Sequence, residues 1–79
     1  MTANSFVSKM RDAMFSLSRS TLVPKSLPND LIDIFVNEQP GPQMRGQQLL
    51  EPYDWAVLVA RDAARMYNVE WSPGADIPF

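Results

Sequence analysis

Residues 52–67 read PYDWAVLVARDAARMY, and the architecture turns on them. Set at about 100° per residue, their apolar side chains cover an arc of roughly 200°, from Trp55 through Val59, Ala63, Ala56, Tyr67, Ala60 and Tyr53 to Val57. A helix apolar over so wide an arc belongs at the centre of a fold, touching at least two neighbours. Ala56, Ala60, Ala63 and Ala64 let those neighbours come close. Pro52 suits the first turn, where an amide has no intrahelical partner, and Asp54 lies near the positive end of the helix dipole. Asn68 can end the helix, which is therefore expected over 52–68.

Upstream, the next piece, 43–50, admits a short helix weakened by Gly46. It follows a turn centred on Pro40-Gly41-Pro42. Before that turn, Leu27, Leu31, Ile34 and Phe35 repeat at helical spacing, and Ser26 can cap a helix over 27–38 whose Pro28 is tolerated in the first turn. From 4 to 20, Phe6, Met10, Ala13, Met14 and Leu17 gather on one helical face, begun by Asn4 or Ser5 as cap. Downstream, Val69-Glu70-Trp71 reads as extended before a Ser72-Pro73-Gly74 turn and the tail to Phe79. The expectation is an all-α, single domain over 1–79. It has three main helices, 4–20, 27–38 and 52–68, a short one at 43–50, and an extended C-terminal tail. Its core is expected from Phe6, Met10, Met14, Leu17, Leu31, Ile34, Phe35, Val59, Ala60, Ala63 and Tyr67, with Met66 joining it.

Composition limits what such a domain can do. The chain has 79 residues, of which 46% are hydrophobic and 20% charged, an ordinary balance for a folded protein. A chain of this size buries only roughly 60–65% of the surface it exposes when unfolded, so it leans on packing within itself or against a partner. With no cysteine and no histidine, disulfides and Cys/His zinc sites are unavailable. Net charge is −2, unevenly spread: Lys9, Arg11, Arg19 and Lys25 against Asp12 make residues 1–26 +3, which leaves −5 for 27–79. No apolar run approaches the roughly 20 residues needed to span a bilayer, so no membrane association and a cytoplasmic location are expected, in host cytoplasm or virion if the chain is viral.

The same absences remove the common catalytic sites, which use histidine as acid or base and cysteine as strong nucleophile. Asp30 and Asp33 would lie close on a helix, but acids in a first turn chiefly stabilise its dipole. The glycines at 41, 46 and 74 are isolated, so no phosphate loop exists, and no acid spacing fits a calcium loop. No catalytic residue, cofactor site or metal site is assigned.

Apolar residues on polar faces carry more information. Phe15 falls on the polar side of its helix, one turn from Arg11 and one from Arg19, and an aromatic flanked by arginines is a common hot-spot composition. Leu58 interrupts a face otherwise made of Asp54, Arg61, Asp62 and Arg65. Trp71, Ile77 and Phe79 give the tail an apolar edge that could dock in a partner's groove or cap this protein's own core. These seven residues, Arg11, Phe15, Arg19, Leu58, Trp71, Ile77 and Phe79, are the candidate protein-binding set. The function expected is that of a non-enzymatic accessory protein, an inhibitor or adaptor of the kind phages encode, binding a larger protein. The alternative is a structural subunit of an assembly such as a virion, gripping neighbouring copies. A lesser one is a helix-turn-helix nucleic-acid binder presenting Arg45, Gln47 and Gln48 to base edges, although Asp30, Asp33 and Glu38 on the preceding helix would repel phosphates.

Overall fold

The last helix has the two helical neighbours that its wide apolar arc requires. In the computed structural model, which describes residues 1–19, 22–38 and 40–74, the elements run α1 (Ala3–Arg19), α2 (Leu27–Glu38), β1 (Gln43–Arg45), β2 (Gln48–Leu50) and α3 (Pro52–Met66). Each of the three helices packs against the other two, and β1 lies against α3. The chain is thus mostly helical with a small two-stranded sheet.

The core is built around three rings, one from each helix. Phe6 of α1 and Phe35 of α2 lie 4.8 Å apart, and Trp55 of α3 lies 5.1 Å from Phe35 and 5.7 Å from Phe6. Around them Met10, Ala13, Met14, Leu31, Ile32, Val57 and Val59 are buried, as are all four alanines of α3. The expected core residues Leu17 and Tyr67 are only half-buried against this cluster.

Ile34 is a correction. It is 43% exposed, and Ile32 is buried in its place. Both 27-31-34-35 and 28-31-32-35 have helical spacing, but the first face has Glu38 near its centre, whereas the second is free of charge. The cost of burying an unpaired carboxylate turns the helix to the second face and seats Pro28 in the core. Met66, expected inside, is 57% exposed because it is the last residue of α3, one turn past the last residue to which the hairpin holds.

The segment 43–50 is not a helix but an antiparallel hairpin, with Gln43 opposite Leu50, Met44 opposite Leu49 and Arg45 opposite Gln48. Two sequence features enforce this. Gly46 opens the two-residue turn at φ 61°, a left-handed value that a helix cannot hold and that suits the first position of a type II′ turn. Glu51 precedes Pro52, whose ring disfavours helical backbone before it, and Glu51 is accordingly extended at φ −60°, ψ 150°. A strand feeds into that position where a helix would have to break. The hairpin is tied to α3 twice: Trp55 Nε1 donates to the Met44 carbonyl at 3.2 Å, and Arg45 pairs with Asp62.

Helix ends refine the sequence boundaries. Thr2, not Asn4 or Ser5, caps α1: its Oγ1 accepts from the Ser5 amide at 3.2 Å. Ser20, the expected end of α1, lies outside the described residues. The Met1 ammonium meets Glu38 at the end of α2; hydrogen bonding to that group, its charge and that of Lys9 together hold the Glu38 carboxyl below its ordinary value. That contribution to stability is present above the ordinary carboxylate pKa and is lost as pH falls through the lowered one.

α3 stops at Met66 rather than at 68. The Val69 amide donates to the Ala64 carbonyl at 2.8 Å and the Asn68 amide to Arg65 at 3.3 Å, with Asn68 at φ 58°. This is a Schellman ending, with asparagine in the left-handed position that glycine usually takes. Asn68→Ala is expected to cost about 1–2 kcal/mol in urea unfolding, because alanine pays the left-handed penalty, while Asn68→Gly should cost nothing or stabilise.

Candidate functional site

On α1 the buried face is formed by Phe6, Met10, Ala13 and Met14. Counting on by one residue from Met14 carries the chain about 100° round the helix, so Phe15 points away from that face and is 45% exposed. Its ring is nevertheless held. Tyr67, just past the end of α3, meets it edge-on with centroids 5.4 Å apart and planes at 72°, and the Arg19 guanidinium lies 5.4 Å from its centroid. Ser18 Oγ donates to the Phe15 carbonyl at 2.6 Å, closing the last turn of α1 from the side.

Arg11, one turn before Phe15, is exposed and lines an open cleft of about 400 Å³ together with Asn4, Val7, Ser8, Asp12 and Tyr67. Tyr67 therefore joins the cleft to the Phe15–Arg19 pair. The result is a ridge along α1, Arg11–Phe15–Arg19, at i, i+4 and i+8, with a polar cleft on one flank. Together with Lys9 and against Asp12, the exposed charges of α1 sum to +2. An aromatic ring with one guanidinium against it and a second arginine one turn away on the same ridge can accept an apolar side chain while pairing acids along the helix.

The other candidate residues are scattered. Leu58 is half-buried and lies on the α3 row between Trp55 and Asp62, the two residues that hold the hairpin. Trp71 packs on the core, and its Nε1 is buried without a hydrogen-bond partner among the described residues. Ile77 and Phe79 lie outside the described residues. Arg45 is engaged with Asp62, and Gly46-Gln47 form the hairpin tip, so the second helix of a helix-turn-helix is not formed. Among the described residues no group of three or more His, Cys, Asp or Glu side chains could hold a metal ion, and no helix is long and apolar enough to cross a membrane.

Sequence reasoning assigned Tyr67 to the core and missed its part in the site. The signal was Asn68: a helix ended by an asparagine stops short of it, so the helical wheel no longer places residue 67. The exposed Met44 and Leu49, facing each other across the hairpin, were missed with the hairpin itself. Compared with known proteins, the chain matches no family model, no curated protein and no solved structure.

Proposed function

We propose that this chain is a non-enzymatic accessory protein that binds a larger protein through the Arg11–Phe15–Arg19 ridge of α1 and blocks or recruits it. The observation that carries the reading is Phe15, a large apolar side chain left about half in water yet fixed by Tyr67 and Arg19. A ring already held in place loses little freedom on binding, so more of its burial energy appears as affinity. Aromatic and arginine side chains are the types most enriched at energetic centres of interfaces. The charge of the ridge favours an acidic partner surface. The absence of histidine and cysteine supports a role without catalysis.

A second reading, a structural subunit that meets neighbouring copies, is favoured by α2, whose outer surface is acidic with Ile34 exposed in it. Native mass measurement of complexes captured on the tagged chain, from cells that make it, tests both. One or two copies on a larger protein are expected for the accessory protein, and many copies for the subunit. A strictly monomeric chain that captures nothing contradicts both readings.

A further inference from the structure

α1 and α2 carry matching ridges of opposite sign. On α1 the pattern is Arg11, Phe15, Arg19; on α2 it is Asp30, Ile34, Glu38, and all six side chains are exposed. Both ridges are base–apolar–base or acid–apolar–acid at i, i+4, i+8, so both place their outer charges about 12 Å apart along the helix. Because each pattern is symmetric end to end, the ridges match whether the helices run parallel or antiparallel. They do not meet within one chain: among the described residues neither Arg11 nor Arg19 pairs with Asp30 or Glu38, Phe15 lies against Tyr67 beyond α3, and Glu38 closes on Met1 at the opposite end of α1.

We propose that the α1 ridge of one copy seats on the α2 ridge of a second copy, setting Phe15 against Ile34 and the arginines against Asp30 and Glu38. This rests on the reading of the α1 ridge as a docking face and names a second copy as its occupant when no larger protein is bound, so that the two compete for the same ridge. The two surfaces differ, so the contact is heterologous: after one contact each copy still offers an unmet ridge, and association continues until it closes. Exposed ion pairs contribute little and are screened by salt, so the contact is weak, salt-sensitive and suited to chains held at high local concentration. Glu38 already meets the Met1 ammonium and feels Lys9, which makes Asp30, with Asp33 nearby, the stronger end of the acidic ridge.

The test is sedimentation of the full chain over a concentration series, with Arg11→Glu/Arg19→Glu and Asp30→Lys/Glu38→Lys as variants. The wild type should gain mass with concentration and lose it with added salt. Each variant alone should associate at least roughly tenfold more weakly, since like charges then face each other, and an equal mixture of the two should recover association. Thermal melts check that the variants fold; Ile34→Ser, which leaves the Met1–Glu38 pair in place, carries the same expected loss if the α2 variant does not. A wild type that stays monomeric at every concentration, or variants that associate as well as it does, overturns the proposal. A monomer that still binds a captured partner through Phe15 overturns the self-contact alone and leaves the docking face standing.

Discussion

Phe35→Ala should come close to unfolding the protein. The Phe35 ring is fully buried and stands between Phe6 at 4.8 Å and Trp55 at 5.1 Å, so it is where the three helices meet. Truncating such a ring typically costs about 3–5 kcal/mol, from lost transfer energy and the cavity left behind. A chain of 79 residues has roughly 4–12 kcal/mol of stability in all. The variant should therefore show a urea midpoint shifted far toward zero, with Phe35→Leu between it and the wild type. A loss below about 1.5 kcal/mol would mean that the three-ring cluster is not the hub of the fold.

The helices were legible because each has enough turns for its apolar period to repeat. On α1 the positions Phe6, Met10, Ala13 and Met14 leave one choice of face, and that face is buried. On α2 two faces compete over twelve residues, and the sequence alone decides between them only if the charge on each face is weighed along with the apolar spacing; Glu38 was the deciding residue. The hairpin was hidden because strands of three residues are too short for an alternating pattern to outweigh a helical one. Its marks were backbone ones, a glycine able to take positive φ and a proline that forces the residue before it into extended form. Of the candidate site, the ridge on α1 follows from periodicity alone. The contacts that hold its ring do not, since Tyr67 reaches Phe15 only through the packing of α3 on α1 and the turn that ends α3 at Met66.

The second large effect is expected at Phe15 itself, and it falls on binding rather than on folding. Its ring is 45% exposed, with one edge-on contact to Tyr67 and one guanidinium nearby, so truncation removes a modest part of its burial and an aromatic pair worth about 0.5–1.5 kcal/mol. At an interface the same ring would be fully desolvated, and truncating a residue of that kind costs about 2 kcal/mol or more in affinity. Arg19 and Arg11 should follow it with smaller losses that grow as salt is lowered, because their contacts are charged and lie nearer the rim.

The most direct test is therefore Phe15→Ala measured twice on one preparation, by urea unfolding and by affinity for the partner recovered with the wild-type chain. The expected result is a stability loss well under that of Phe35→Ala, with affinity reduced by about 2 kcal/mol or more, roughly thirtyfold. A variant that unfolds like Phe35→Ala would make Phe15 a core residue, and one that stays folded and binds as tightly as the wild type would remove it from the docking face.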